Sequence, residues 1–312
     1  MERRTFLASA LAAASARGAG PTRFQLAGMT LTYSPFSYLR ALRGIRNAGF
    51  DFVALGTTHT DSSGKRAPLL DWRDPPAKAR ELTRQCRDEG LTPVMMFAGI
   101  NMESPDGPEA HARRIEQAHA AGIPQILTFG KTERGLYEAA IRTLKQAGPL
   151  ARQAGVLVVI KQHGGNTATG ADCVKIVREV ADEGVKMCYD AGNVLDYERN
   201  DPIADIRLCV DEIRSFCIKD HRDTPKDQDC GPGYGEIDHY KLFLPMMRTG
   251  RTIPLAFENV FEPLVPRPAD PDRVDILNRR ARQYIETVLA GLAAEQPPAA
   301  AKRTRIPVSP AG

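Results

Sequence analysis

Five times along this chain a glycine separates an amphipathic, charge-rich stretch from a short apolar run: "RNAGFDFVAL", "RDEGLTPVMMF", "HAAGIPQILTF", "RQAGVLVVI" and "ADEGVKMCY". A glycine in that place closes a helix, and the apolar run directly after it reads as a strand. Successive helix-to-strand steps of one kind force the strands to run parallel. Adding the outer runs predicts eight strands, at 26–33, 51–55, 92–97, 125–129, 156–160, 185–189, 213–218 and 253–257. Between them lie stretches such as "PEAHARRIEQAHAA", whose apolar residues recur at helical spacing. Eight such units in about 270 residues is the size of one (β/α)8 barrel, so the expected class is α/β, a single barrel over residues 25–293. An open doubly wound sheet is the competing arrangement. No GxGxxG opens the first helix, however, and no composition break divides the chain, so no nucleotide cofactor is expected.

Composition narrows the function classes. Of 312 residues, 42% are hydrophobic and 26% charged, which suits a packed globular chain. The formal charge of +4 is partly in the ends: Arg3 and Arg4 against Glu2 give +1, and Lys302, Arg303 and Arg305 against Glu295 give +2, leaving a body near +1. Nucleic-acid binding normally needs a concentrated basic face, so a nucleic-acid partner is not expected. Residues 1–16 carry a twin arginine, a short Ala-rich apolar stretch and Ala14-Ser15-Ala16, the pattern of a twin-arginine export signal in a bacterial, periplasmic or otherwise exported protein. At about ten residues that stretch is too short to span a membrane. Residues 294–312 are Pro/Ala-rich and read as a disordered tail. Six cysteines without a CxxC spacing define no disulfide framework and are read mainly as small apolar residues. The oligomeric state is left open.

In a parallel barrel the chemistry collects where strands exit at their carboxyl ends. Those positions include His59, Lys161 to His163, Asp190 to Asn193, Lys219 to His221, and Glu258. Two long connections, one after strand two with Trp72 and one after strand seven with His221, Arg222 and Glu236, are placed to cover or line a site. Trp72 could stack on a sugar face or pin its loop to the barrel. Glu236 reads as a loop-ordering residue, and Lys219 with Asp220 as a structural pair.

The succession "AGFDFVAL", "PLARQAGVLVVI", "HGG", "VKMCYDAGNVLDY", "IRSFCIKDHRD", "GPGYGEIDHYKLF" and "PLAFEN" resembles the xylose-isomerase-like TIM-barrel proteins, often called sugar phosphate isomerase/epimerase family proteins. The resemblance implies a TIM barrel and one divalent metal, held by a glutamate ending strand five, an aspartate after strand six, a histidine on strand seven and a glutamate after strand eight. Carried over, the aspartate is Asp190 and the last glutamate Glu258. The first glutamate falls on Lys161, the strand-seven histidine on Cys217, and a further histidine that contacts substrate on Asn193. Two of the four implied ligands are therefore replaced.

Two accounts of the altered site follow. In one, Lys161 supplies the positive charge of the missing metal, held by Asp190 and Glu258, with burial lowering its pKa toward acid-base use. In the other a divalent metal (manganese, magnesium or zinc) persists on Asp190 and Glu258, with His163 and Cys217 as further ligands; a thiolate would favour zinc. The leading functional expectation is an exported sugar isomerase or epimerase that removes a proton next to a carbonyl of a sugar, keto-sugar or polyol. In that reading Glu258 is the base, Lys161 the electrophile or proton donor, and Asp190 orients the lysine or holds metal. His163, Asn193, His221, Arg222, Trp72 and His59 are the candidate substrate contacts. A keto-sugar lyase and a non-catalytic carbohydrate-binding protein are the alternatives. An endonuclease IV type of repair enzyme is disfavoured by six histidines and a near-neutral body.

Overall fold

The computed structural model describes residues 20–61 and 63–295; the segment expected as an export signal and residues 296–312 of the expected tail lie outside them. Eight parallel strands close into a barrel: β1 (Arg23–Met29), β2 (Phe52–Leu55), β3 (Thr92–Phe97), β4 (Gln125–Thr128), β5 (Leu157–Lys161), β6 (Val185–Tyr189), β7 (Ile213–Ile218) and β8 (Thr252–Phe257). Each strand pairs with its neighbour in sequence, and β1 closes on β8 over six register positions from Arg23↔Thr252 to Gly28↔Phe257. The expected single barrel is the observed fold. No helix among the described residues is long and apolar enough to cross a membrane.

The glycine repeat works in two ways. Gly49, Gly90, Gly122 and Gly155 sit at helix ends with φ between 68° and 90°, the left-handed conformation expected of a C-terminal glycine. Gly184 differs: its helix (Gly170–Val180) is closed instead by Ala181 in the left-handed region. Gly184 is required because a Cβ there would lie 2.1 Å from the Gly148 carbonyl oxygen of the preceding helix. The first strand also departs from expectation, running 23–29 rather than 26–33. Thr30–Tyr33 form a 3-10 turn in which the Thr32 hydroxyl donates to the Met29 carbonyl, while the Tyr33 hydroxyl donates to Asp275 of the last helix, Pro271–Glu295. Those contacts turn the chain outward before a strand could continue.

Side chains alternate along each strand between two cores. Val158, Ile160, Met187, Tyr189, Phe216 and Phe257 pack outward against the helices. Ala27, Met29, Ala54, Met95, Leu127, Val159, Cys188, Cys217 and Ala256 fill the interior. All six cysteines are buried and unpaired, in keeping with their reading as apolar fillers. Both long connections carry a two-stranded antiparallel ribbon, Thr58–Thr60 with Arg66–Pro68 after β2 and Asp220–Arg222 with Gln228–Cys230 after β7.

Candidate active site

Because side chains repeat with period two, the residue two beyond the last interior apolar residue of a strand also points inward. On β5 to β8 those last residues are Val159, Cys188, Cys217 and Ala256, so the next inward layer is Lys161, Asp190, Lys219 and Glu258. Four consecutive strand exits thus alternate positive, negative, positive, negative. The Lys161 ammonium lies 2.8 Å and 2.9 Å from the two Glu258 oxygens and 3.1 Å from Asp190 Oδ2. Lys219 Nζ is 3.9 Å from the same Asp190 oxygen and 2.7 Å from Asp229 Oδ2. Side chains of Lys161 and Asp190 are 3% and 0% exposed, whereas that of Glu258 is 15% exposed and forms the accessible edge.

The environment sets the charges. Burial disfavours the Lys161 ammonium, but Glu258 and Asp190 outweigh it and hold its pKa well above the ordinary lysine value. The expectation that burial lowers this pKa is therefore corrected: the partnering carboxylates dominate. Lys219 is raised in the same way, burial being overcome by Asp190 and Glu258. Burial opposes the Glu258 carboxylate, yet Lys161 and Lys219 bring it down to about 2. Asp190, wholly buried, is pushed up to about 6 because burial exceeds the help of Lys219 and Lys161. The four groups sum to zero formal charge. The sequence reads Lys219 as half of a structural pair with Asp220. Asp220 instead accepts from the backbone N–H groups of His221, Gly233 and Ile237, and so orders the loop.

The supporting residues explain the local sequence. Asp190 caps the helix Ala191–Glu198 by accepting from the Asn193 N–H at 3.0 Å, which fixes its carboxylate. The Asn193 side chain donates to the Gln162 carbonyl at 2.6 Å and accepts from Lys219. Gln162 accepts in turn from the Asp190 N–H at 2.9 Å. In "DAGN", Gly192 gives room to the lysine stem: a Cβ there would lie 2.6 Å from Lys219 Cε and 2.8 Å from Cγ. Above the centre a cleft of about 270 Å3 is lined by Leu31, Ser34, Arg66, Lys219, Asp229, Glu258 and Arg267 among others.

The other sequence candidates divide. His163 Nδ1 donates to Gly130 O at 3.1 Å, and its ring lies 4.3 Å from that of Phe129 and 5.5 Å from that of Tyr197. It therefore borders the centre, since Lys161 Nζ is 5.8 Å from the same Phe129 ring. His221 is buried on the ribbon after β7 and faces Asp229. Arg222 binds the Thr224 carbonyl within its own loop. His59 has both ring nitrogens engaged, with Phe36 O and Thr30 Oγ1. Trp72 is 9% exposed, carries the Arg73 guanidinium 3.8 Å over its ring, and lines a separate cleft that shares no residue with the one above Glu258. Sequence reasoning missed Lys219 as a member of the centre, and Asp229 and Gln162 as its supports. The period-two step from Cys217 was the available signal for Lys219.

The family's metal can be tested against these donors. Asp190, Cys217 and Glu258 have ligand atoms within 4.8 Å of one another. The Lys161 ammonium lies between the two carboxylates, however, at contact distance from both. Cys217 is 3.8 Å from Cys188, and burial raises its pKa so that it stays a thiol, a poor ligand. His163 does not join this group: its ring nitrogens are not among the ligand atoms that lie together here. The residues of this centre do not fit the family's cation.

Comparison with known proteins agrees with this geometry at the level of fold. The structure is similar to that of an L-ribulose 3-epimerase, with a TM-score of 0.66 at 17% identity over 86% of this chain and 95% of the other. It is similar to D-allulose 3-epimerase from Methylomonas sp. in complex with D-allulose, with 0.63 at 17% over 86% and 99%. A xylose isomerase-like TIM barrel protein from Mycobacterium smegmatis in complex with magnesium gives 0.63 at 16% over 86% and 97%. No curated protein shows significant similarity to the chain. The sequence model described as xylose isomerase-like TIM barrel matches residues 42–270, and the chain belongs to that family.

Proposed function

We propose that this chain catalyses proton transfer at a carbon next to a carbonyl of a sugar or keto-sugar, as an isomerase or epimerase in which two ammonium groups stand where relatives would use a cation. The observation that carries this reading is the Lys161 ammonium held by both oxygens of Glu258 and by Asp190 beneath an open polar cleft. A carbonyl oxygen entering the cleft meets Lys219 at its wall and, as Glu258 shifts, the Lys161 ammonium behind it, and the two stabilise the negative charge it gains when the neighbouring carbon loses its proton. Glu258 takes that proton and returns it. Its low resting basicity comes from Lys161, so a substrate oxygen that shares the lysine leaves burial free to raise Glu258 into a useful range. Asp190, already near pH 6, holds both lysines. Arg66 and Arg267 add donors for the far hydroxyls or a carboxylate end of the sugar. The sugar epimerases of similar fold support the substrate class. The twin-arginine segment supports an exported address, tested by whether Arg3→Lys with Arg4→Lys retains the protein in the cytoplasm.

The test is solvent deuterium exchange. Ketopentoses and ketohexoses incubated with the protein in D2O gain deuterium at the carbon next to the carbonyl, and Glu258→Gln slows this by about 10²–10⁴-fold. Ligand-dependent thermal shifts without any exchange across the panel would instead make the protein a carbohydrate binder.

A further inference from the structure

We infer that His221, Asp223 and Asp227 form a divalent-cation site on the ribbon after β7, braced by Asp229 and separate from the Lys161 centre. His221 and Asp229 face each other in the antiparallel register of this ribbon, and period two places Asp223 and Asp227 beyond them on the same face. Asp196 approaches from the helix Ala191–Glu198.

The imidazole is prepared as a ligand. His221 is 1% exposed, and its Nδ1 donates to Asp229 Oδ1 at 3.1 Å, while the other Asp229 oxygen is held by Lys219 at 2.7 Å. A carboxylate on one ring nitrogen fixes the ring and aims the other nitrogen at the ligand position, the arrangement that commonly supports metal-bound histidine. Burial opposes the imidazolium, but Asp229, Asp196 and Asp227 outweigh it and raise the ring's pKa, so a cation at Nε2 would take the place of its second proton. Nε2 faces Asp223 Oδ1 at 3.3 Å, Asp227 Oδ1 at 3.4 Å and Asp196 Oδ1 at 4.0 Å. Neither Nε2 nor Asp223 Oδ1 makes a hydrogen bond, although both are buried atoms.

The spacing suits a cation between them. Metal bonds of about 2.0–2.2 Å in a tetrahedron separate neighbouring donors by about 3.3–3.6 Å. Arg199 meets the outer oxygens, Asp223 Oδ2 at 3.6 Å and Asp227 Oδ2 at 3.5 Å, and leaves the inner ones facing His221. Against four carboxylates the cluster has Lys219 and Arg199, so negative charge remains for a dication to neutralise. One imidazole with carboxylates selects zinc or a similar first-row divalent ion over calcium or magnesium. Asp229 also lines the cleft above Glu258, so an ion here would stiffen one wall of it.

The experiment uses chelator-dialysed protein, Zn2+ in calorimetric titration and Co2+ for its visible spectrum. One Zn2+ per chain and tetrahedral Co2+ bands are expected; His221→Ala abolishes both, and Asp229→Asn weakens binding about 10–100-fold. Asp227→Asn, at a half-exposed side chain where folding is not at stake, weakens it at least about tenfold. Cys217→Ala leaves binding unchanged. No stoichiometric binding, or binding that survives His221→Ala and Asp227→Asn but is lost in Cys217→Ala, overturns the inference.

Discussion

Lys161 and Glu258, 97 residues apart in sequence, meet at the barrel mouth with the ammonium 2.8 Å and 2.9 Å from the two carboxylate oxygens. Both come from strand ends, so backbone pairing rather than side-chain flexibility holds the contact. Removing one member of a buried pair strands the other charge, at about 3–5 kcal/mol. Lys161→Met is expected to lose stability of that order in urea unfolding. Lys161→Met with Glu258→Gln recovers part of it, because a neutral amide replaces the stranded carboxylate. A double variant as unstable as the sum of the singles would show that the two side chains do not interact.

The pH dependence of stability follows from Asp190. Its folded pKa is raised to about 6, above the unfolded carboxylate, so between about pH 4 and pH 6 the folded state binds more protons than the unfolded one. Stability from this residue is present below about pH 4 and is lost as pH rises through about 6, by on the order of 3 kcal/mol. Glu258 acts oppositely: with a folded pKa near 2, its contribution is present above the ordinary glutamate value and is lost as pH falls toward 2. Unfolding free energies of the protein and of Asp190→Asn, measured from pH 3 to pH 8, should differ by an amount that changes mainly between pH 4 and 6. A constant difference would remove Asp190 as the source.

The barrel and three of its four central residues were legible because they depend on local pattern. Glycine-punctuated repeats give the helix-to-strand steps, and strand exits place Lys161, Asp190 and Glu258 at one mouth. Lys219 was hidden by its neighbour: next to Asp220 it reads as half of a pair, whereas the two point in opposite directions from the strand end. His221 and Asp229 were harder still. Three-residue polar strands have no apolar alternation to fix their register, so nothing in "DHRDTPKDQDC" announces that these two residues face each other. The contacts of His59 are with Thr30 and Phe36, partners that only the folded chain brings together.

Gly192 tests whether the seat of Lys219 matters. In an exposed helix, Gly→Ala usually gains up to about 1 kcal/mol. Here the added methyl would lie 2.6 Å from Lys219 Cε, so overpacking of about 1–3 kcal/mol is expected to reverse the sign and lower the melting temperature. Combining Gly192→Ala with Lys219→Ala should cost less than the two changes summed, since the shortened side chain no longer meets the methyl. Strict additivity would argue that Lys219 does not rest on this glycine.

Restoring the donor set implied by the family provides the sharpest reversal. Lys161→Glu removes the ammonium that lies between Asp190 and Glu258, and Cys217→His replaces a neutral buried thiol by an imidazole. The double variant then offers three carboxylates and one histidine at the ends of β5 to β8, a set suited to Mn2+ or a similar ion. In a His221→Ala background, where the ribbon cluster is disabled, the double variant should bind one Mn2+ per chain in paramagnetic titration. The same background with Lys161 intact should bind none. Without the ion the three carboxylates repel one another, so the variant's melting temperature should rise on adding Mn2+, and go on rising with the logarithm of its concentration above the dissociation constant. Equal Mn2+ binding with Lys161 present would mean that the ammonium does not exclude the cation, and the charge-replacement account of this centre would fall.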